Sequence, residues 1–153
     1  TEYIQIEPFL AKMKRRMETL YPEFTFELSL KQKGCMVKIS PLHLEQIVFI
    51  VIDNAVKYSG ESKLITITSQ ARQNDVCISV QDHGIGIPSA ELQYVFNRFY
   101  RVDKARNREI EGTGLGLSIA KNLIQHYQGD ITMTSVENEG TEVTLTLPAV
   151  SPK

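Results

Sequence analysis

The run VCISVQDHGIGIP, residues 76–88, carries the pattern that decides the fold. Its first half alternates apolar Val76, Ile78 and Val80 with small or polar residues, which is typical of a β-strand with one buried face. Two glycines and a proline follow Asp82, so the strand is expected to end there in a turn. The run therefore predicts a half-covered strand whose end carries an aspartate into a glycine-rich loop.

Three further runs repeat this alternation and extend it to a whole sheet. Each alternates apolar side chains with threonines, and the apolar members are Ile65 and Ile67, Ile131 and Met133, and Val143, Leu145 and Leu147. A sheet with one apolar face and one hydroxyl-rich face is covered on one side only. Helices must supply that cover, so we predict an α+β fold, a two-layer α/β sandwich with helices on one face of the sheet.

The remaining segments supply the helices and further strands. The predicted elements are an extended start at residues 3–6, a helix from Pro8 to Tyr21-Pro22, strands at residues 25–30 and 35–39 with Gly34 in the turn between them, and a helix at residues 115–127.

Residues 41–57 fit two interpretations. The β-branched run at residues 47–52, taken alone, fits a buried strand. Ser40 and Pro41, however, form a good N-cap and first-turn pair, and the apolar-to-polar pattern continues to Lys57, which is long for a strand. We therefore predict a deeply buried helix over residues 41–57.

The composition is that of an ordinary soluble domain. With 153 residues, of which 42% are apolar and 23% charged, the chain is expected to form one domain over residues 1–153. Its net charge of −1 gives no reason to expect nucleic acid or an anionic membrane as a partner. Cys35 and Cys77 lie in strand-like runs and are expected to be reduced packing residues, and no apolar run is long enough to cross a bilayer.

Asp82 has a structural and a functional interpretation. An aspartate before two glycines often only caps the turn. An aspartate at a buried strand end can also accept a hydrogen bond from an amine such as the exocyclic amine of adenine. On that interpretation, Gly84 and Gly86 let the base approach the backbone closely.

A second glycine-rich run, GTGLGL at residues 112–117, opens the last predicted helix. Three alternating glycines exceed what a helix start needs, and they leave amides free to face an anion at the positive end of the helix dipole. The spacing is neither that of a Walker A loop nor that of a Rossmann fingerprint. A flexible loop that ends in a helix start is the alternative, and phosphate binding is the favoured interpretation.

Asn54, Lys57 and Tyr58 share one face at the end of the buried helix. Asn54 follows a run of apolar residues, and an unpaired buried amide would cost about 1–3 kcal/mol. Ligation of Mg²⁺ is one way to satisfy it, because Mg²⁺ keeps several waters and takes few protein oxygens. Lys57 could then contact phosphate, and Tyr58 could offer an aromatic face to a base.

The segment between the two glycine-rich runs begins FNRFYR at residues 96–101 and continues with further basic residues. A solvated basic loop is the better interpretation for Lys104, Arg106 and Arg108. The segment from residue 97 to residue 113 is long for a structureless connection, and such loops are often lids.

Together these segments resemble the catalytic, ATP-binding domain of sensor histidine kinases. Residues 82–86 resemble that family's first glycine box, residues 96–101 its F box, residues 112–117 its second glycine box and residues 53–58 the core of its N box. Each motif alone is weakly specific, but the four occur in the family's order across residues 44–147. The family shares its fold with gyrase, Hsp90 and MutL, so the resemblance implies a Bergerat-type sandwich with a mixed sheet.

The resemblance implies a role for each matched residue. The residues implied at the adenine are Asp82 as acceptor from the amine, Gly84, Gly86 and Ile87 beside the base, Tyr58 stacked near it, and Thr141, which follows Gly140, on a bridging water. The residues implied at the phosphates are Asn54 as the Mg²⁺ ligand, Lys57, Arg101 on the γ-phosphate, Arg98, and the amides of Gly112, Thr113, Gly114, Leu115, Gly116 and Leu117.

Two positions depart from the family pattern. Ile50 stands where a second asparagine is usual and where gyrase-like ATPases carry a water-activating glutamate. An alkyl chain can neither ligate Mg²⁺ nor take a proton, which argues against a water-activating ATPase and leaves one side-chain amide at the metal. Asn138 stands where glycine is common, and asparagine tolerates the left-handed backbone conformation best among the other residues.

The resemblance implies transfer of the γ-phosphoryl group of Mg-ATP to a histidine on a separate dimerisation domain, mainly by positioning and charge neutralisation. None of His43, His83 and His126 lies in the family's phosphoacceptor motif. We therefore expect an isolated, monomeric catalytic domain from the cytoplasmic portion of a sensor. Its partners would be the phosphoacceptor domain and, downstream, a response regulator. The alternatives are a nucleotide-binding pseudokinase domain, suggested by Ile50, and a serine-kinase anti-sigma factor of the same fold.

Overall fold

The computed structural model describes residues 1–31, 33–98, 100 and 116–151, and after the first strand and helix its strands follow in pairs that helices separate. In chain order they are β1 (Glu2–Gln5), α1 (Ile6–Leu20), β2 (Thr25–Leu30), β3 (Met36–Ile39), α2 (Pro41–Lys57), β4 (Leu64–Arg72), β5 (Asp75–Asp82), a 3₁₀ helix (Ser89–Tyr94), α3 (Gly116–Gln125), β6 (Asp130–Val136) and β7 (Gly140–Pro148).

Five of these strands form one mixed sheet in the order β2-β4-β5-β7-β6. β2 lies parallel to β4, and the other neighbouring pairs are antiparallel. The sheet therefore has the mixed pairing that the family resemblance implied.

The two faces of this sheet differ as the alternation predicted. On one face, the register aligns a row of hydroxyls across all five strands, formed by Ser29, Thr68, Ser79, Thr144 and Thr132. The other face carries buried aliphatic side chains of β4, β5, β6 and β7, which belong to one core cluster with α1, α2 and α3. The predicted α+β sandwich with helices on one face is confirmed.

Helix α2 spans the predicted residues 41–57, so the helical interpretation of the β-branched run is confirmed. Leu44, Ile47, Val48, Val51 and Ile52 are fully buried. Ser40 has the extended backbone of an N-cap, but its side chain makes no capping hydrogen bond. Burial of the apolar residues, rather than a cap, therefore holds this helix in place.

The two strands before α2 belong to different sheets. The strands predicted at residues 25–30 and 35–39 exist, as β2 and β3, but they do not pair with each other. β2 pairs with β4, whereas β3 pairs with β1 in a separate two-stranded sheet. Gly34 (φ 79°) therefore does not join a hairpin. Cys35 lies just outside β3, and Cys35 and Cys77 are both free thiols.

The ends of two helices are also shifted. α1 begins at Ile6, before Pro8, and the extended start, β1, lies one residue earlier than predicted. α3 begins at Gly116 and ends at Gln125, and Leu115, the first residue of the predicted helix, lies outside the described residues. Within the described ranges, no helix has both the length and the apolar character needed to cross a membrane.

Candidate functional site

Asp82 ends β5 and is almost completely buried, with 3% of its surface exposed. Its Oδ1 accepts hydrogen bonds from the backbone N–H of Gly84, at 2.9 Å, and from that of Thr141, at 3.3 Å. The turn-capping interpretation is therefore confirmed. Because the two bonds formed with described residues both use Oδ1, Oδ2 is the oxygen that could accept from a ligand.

Burial raises the pKa of Asp82 from 3.8 to about 6. The hydrogen bonds from Gly84 and Thr141 act in the opposite direction, because they favour the charged form, but they do not compensate for the loss of water. The fold thus keeps an acceptor in a place where its charge is costly, which is typical of functional sites.

The glycines of the first glycine-rich loop are needed for contacts within the protein. A Cβ on Gly84 would lie 2.0 Å from the carbonyl oxygen of Tyr58, at the end of α2. Gly86 has a φ of 68°, and a Cβ there would lie 2.2 Å from the carbonyl oxygen of Val136. The sequence predicts that these glycines let a base approach the backbone. The structure shows a second reason why glycine is needed at both positions, because the loop is clamped between α2 and the β6–β7 turn.

Backbone hydrogen bonds hold the loop on both sides. The N–H of Ile85 donates to the carbonyl of Tyr58 at 3.2 Å, and the N–H of Asn138 donates to the carbonyl of Ile85 at 2.7 Å. Asn138 has a φ of 67°, so it adopts in this turn the left-handed conformation that asparagine was predicted to tolerate. Gly140 has a φ of 138°, and a Cβ there would lie 2.2 Å from the carbonyl oxygen of Asp82.

Three polar side chains interrupt the apolar face of the sheet in one row. Asp82 on β5, Thr141 on β7 and Ser135 on β6 follow the register of these strands, in which Ser135 lies opposite Thr141. Ser135 Oγ accepts the N–H of Ile87 at 2.7 Å and lies 2.7 Å from Thr141 Oγ1. Ser135 was not among the predicted site residues. A serine where the alternation of β6 requires an apolar residue is the signal that could have identified it.

The Ile87 side chain is buried in a small apolar cluster with Val95. Leu92, Phe96, Tyr100 and Met133 complete this cluster. The backbone N–H of Ile87, which donates to Ser135 Oγ, is therefore the part of this residue that the structure places at the site.

At the end of α2, Lys57 has a neighbour that the sequence analysis did not consider. Its ammonium lies 2.9 Å from Oδ2 of Asp53, one helical turn earlier. The Tyr21 hydroxyl donates a short hydrogen bond to Oδ1 of the same carboxylate. Burial, followed by this bond to Asp53, raises the pKa of Tyr21 to about 12. Asp53 thus joins α2 to the residue that follows α1.

Asn54 lies beside this pair and is half-buried. Among the described residues, no hydrogen-bond partner contacts its side-chain amide. Within the residues that the structure describes, no three His, Cys, Asp or Glu side chains are grouped so that they could hold a metal ion. A single half-buried amide oxygen fits Mg²⁺ only if phosphates and waters supply the other ligands, which is the usual pattern for nucleotide-bound Mg²⁺. Tyr58 follows α2 and is half-buried.

Ile50, which replaces the family's second asparagine, contacts the start of α3. A Cβ on Gly116 would lie 3.3 Å from Cγ2 of Ile50. Ile50 and Leu117 both pack against the main core. The alkyl chain of Ile50 thus supports the helix that the second glycine box opens.

Of the segment between the glycine boxes, residues 87–111, the structure describes 87–98 and 100. Arg98 is exposed, and Phe99, Arg101, Gly112, Thr113, Gly114 and Leu115 lie outside the described residues. The Tyr100 hydroxyl donates a short hydrogen bond to Glu91, and the Lys121 ammonium lies 4.7 Å from the centroid of the Phe96 ring. The start of this segment therefore contacts both the 3₁₀ helix and α3.

The comparison with protein families gives one match. Residues 39–151 match the family described as histidine kinase-, DNA gyrase B-, and HSP90-like ATPases. This range contains α2, the glycine-rich loops and the row of Asp82, Thr141 and Ser135.

Individual proteins with similar sequences or structures are sensor kinases. The chain is 39% identical over 140 residues to the signal transduction histidine-protein kinase ArlS of Staphylococcus haemolyticus, covering 92% of this chain and 31% of ArlS. It is 42% identical over 150 residues to the sensor histidine kinase WalK of Bacillus subtilis, covering 96% and 24%. Its structure resembles the mycobacterial sensor histidine kinase MprB, with a TM-score of 0.85, 25% identity and coverage of 99% and 100%. The chain thus spans a third or less of the length of ArlS and WalK.

The raised pKa of Asp82 predicts a pH-dependent cost in stability. Between pH 4 and pH 6 the folded state keeps a proton that the unfolded chain has released, so the free energy of unfolding falls as the pH rises. Two pKa units correspond to about 3 kcal/mol at pH 7. Asp82→Asn should therefore be up to about 3 kcal/mol more stable than the wild type at pH 7, with little difference near pH 4.

Urea unfolding at the two pH values measures this difference. Asp75→Asn makes the same chemical change at the start of the same strand, where the side chain is only half-buried, and serves as the matched control. A destabilised Asp82→Asn variant at pH 7 would contradict the prediction.

Proposed function

Because the chain belongs to the histidine kinase-, DNA gyrase B- and HSP90-like ATPase family, we propose that it binds Mg-ATP at the Asp82 end of β5 and donates the γ-phosphoryl group to a histidine. The histidine would lie on a separate dimerisation domain of the same sensor kinase. One observation carries the proposal: a buried carboxylate with one oxygen held by backbone N–H groups and the other left for a ligand.

The adenine would lie against the end of the sheet. Asp82 would accept from its exocyclic amine, and Thr141 would bind the water beside it. The clamped loop would bring the backbone of Gly84, Gly86 and Ile87 to the base. Tyr58, half-buried where α2 meets this loop, would stack near the ring.

The phosphates would lie between α2 and the start of α3. Asn54 would supply one oxygen ligand to Mg²⁺, and the bound ion would supply positive charge beside the phosphates. The Lys57 ammonium would either turn from Asp53 toward the phosphates or contact both Asp53 and a phosphate. Arg101 would contact the γ-phosphate, with Arg98 nearby. Gly112, Thr113, Gly114, Leu115, Gly116 and Leu117 would cover the phosphates with their amides.

The histidine that accepts the phosphoryl group would come from another domain. His43 Nδ1 lies 2.5 Å from the Tyr127 hydroxyl, a contact between the ends of two packed helices that gives this histidine a structural role. ArlS and WalK are histidine kinases much longer than this chain, which supports a phosphoacceptor domain elsewhere in the protein. A response regulator would then receive the phosphoryl group. The domain itself, residues 1–153, would be monomeric and cytoplasmic.

Two alternatives compete with this function, and the first rests on Ile50. Ile50 removes one amide from the expected metal site, which favours a pseudokinase domain that binds nucleotide without efficient transfer. A serine-kinase anti-sigma factor would have the same fold. The similarity to ArlS and WalK favours the histidine kinase over both.

Asp82→Asn should weaken ATP binding about ten- to a hundredfold, because the amide presents an N–H where the amine needs an acceptor. Isothermal titration calorimetry with the purified chain measures this change. Asp75→Asn should bind ATP like the wild type. An unchanged affinity of Asp82→Asn would remove Asp82 from the adenine site.

With γ-labelled ATP, Mg²⁺ and the dimerisation domain of the same kinase added in trans, the chain should label that domain with an acid-labile, alkali-stable phosphate. This lability is the property of phosphohistidine, in which phosphorus is bound to nitrogen. Asp82→Asn should reduce the rate. An acid-stable phosphoserine would support the anti-sigma alternative, and tight ATP binding without any transfer would support the pseudokinase.

Ile50→Asn should increase the dependence of ATP affinity on Mg²⁺, because it adds an amide oxygen one turn before Asn54. Calorimetry with and without Mg²⁺ gives the ratio of affinities for each variant. Ile50→Leu keeps the apolar contact with α3 and should leave the ratio unchanged. The same ratio in Ile50→Asn and the wild type would place the metal away from this turn.

A further inference from the structure

Ser135 holds together the two segments that flank Asp82. Its Oγ lies 2.7 Å from the backbone nitrogen of Ile87, 3.0 Å from the carbonyl oxygen of Gly140 and 2.7 Å from Oγ1 of Thr141. Ile87 belongs to the glycine-rich loop, and Gly140 and Thr141 begin β7. One hydroxyl therefore contacts both sides of the site.

The hydrogen atoms can satisfy all three contacts in one way only. Ile87 N–H is a donor, so Ser135 Oγ accepts from it. The carbonyl of Gly140 is an acceptor, so the single hydroxyl hydrogen of Ser135 points to it. The remaining contact then requires Thr141 to donate its own hydrogen to Ser135. Thr141 Oγ1 is left with lone pairs only, and it can act toward any further group as an acceptor.

This orientation puts two acceptors on the same face of the sheet. The Thr141 backbone N–H donates to Asp82 Oδ1, and the alternation along β5 and β7 directs both side chains to the apolar face at the same end of the sheet. Thr141 is 5% exposed and Asp82 is 3% exposed. Bulk water is thus largely excluded, and a bound group that cannot donate hydrogen bonds would leave both acceptors unsatisfied.

We propose that Ser135 is a specificity-determining residue, which fixes the Thr141 hydroxyl as an acceptor and so makes the site selective for a purine that carries an exocyclic amine. This inference rests on the proposed function, because it specifies the base that the Asp82 site accepts. An amine offers two N–H donors, one for the Asp82 carboxylate and one for the Thr141 hydroxyl or for a water that already donates its own two hydrogens to Thr141 and Asp82. A purine with a carbonyl at the same position presents an oxygen to them instead. Ser135 acts through Thr141 and does not itself contact the base.

The test compares ATP with inosine triphosphate, which carries an oxygen in place of the amine. In Ser135→Ala the Thr141 hydroxyl loses its acceptor and can rotate to donate to that oxygen. The ratio of ATP affinity to inosine triphosphate affinity, measured by calorimetry, should fall about two- to tenfold, the value of one net hydrogen bond. A purely structural role would lower the stability or both affinities together and leave the ratio unchanged.

Three further variants complete the test. Ser135→Thr keeps the hydroxyl and should restore the wild-type ratio. Thr141→Val removes the hydroxyl that Ser135 is proposed to orient and leaves Ser135 in place. It should lower the ratio as Ser135→Ala does, and it can be measured even if Ser135→Ala folds poorly. Thr134→Ala alters the neighbouring, exposed side chain of β6 and serves as the control.

Two results would overturn the proposal in different ways. A wild-type ratio in folded Ser135→Ala, or in Thr141→Val, with normal ATP binding by the wild type, overturns the role of Ser135 and leaves the proposed function intact. A wild-type chain that binds neither nucleotide overturns the role of Ser135 together with the proposed function.

Discussion

The Asp82 carboxylate is buried at the end of β5, and the conformation of the surrounding backbone keeps it in that position. Hydrogen bonds from Gly84 and Thr141 fix one of its oxygens. The glycine-rich loop can turn back to supply the first of these only because Gly84 and Gly86 leave room for the carbonyls of Tyr58 and Val136. The burial that raises its pKa is thus produced by the same loop that positions it.

Much of the fold and part of the candidate site could be predicted from local patterns. Period-two alternation predicts a sheet with one covered face because it depends only on which side chains meet water, and α2 could be predicted because a proline starts it and its length excludes a strand. Strand pairing depends on distant segments, so the partners of β2 and β3 could not be inferred from their own residues. Asp82 could be found because a strand and two glycines flank it.

Ser135 and the Asp53 pairs were missed for a related reason. Nothing next to Ser135 in the chain marks it, since its three partners come from the loop and from β7. Asp53 was recognised only as part of a motif, yet it contacts both Lys57 and Tyr21. A polar residue on the apolar face of a strand, at the same edge of the sheet as a buried aspartate, is a more useful signal than the residue type alone.

The parallel pairing of β2 with β4 also has a consequence for folding. β3 and α2 lie between these two strands in the chain, so the sheet can close only after the connecting segment has crossed from one strand to the other. Contacts between residues so far apart in sequence form late and slow the folding of a domain. The helix that carries Asn54 is part of the segment that connects the two parallel strands. Substitutions along it are expected to change the rate of folding as well as the chemistry of the site.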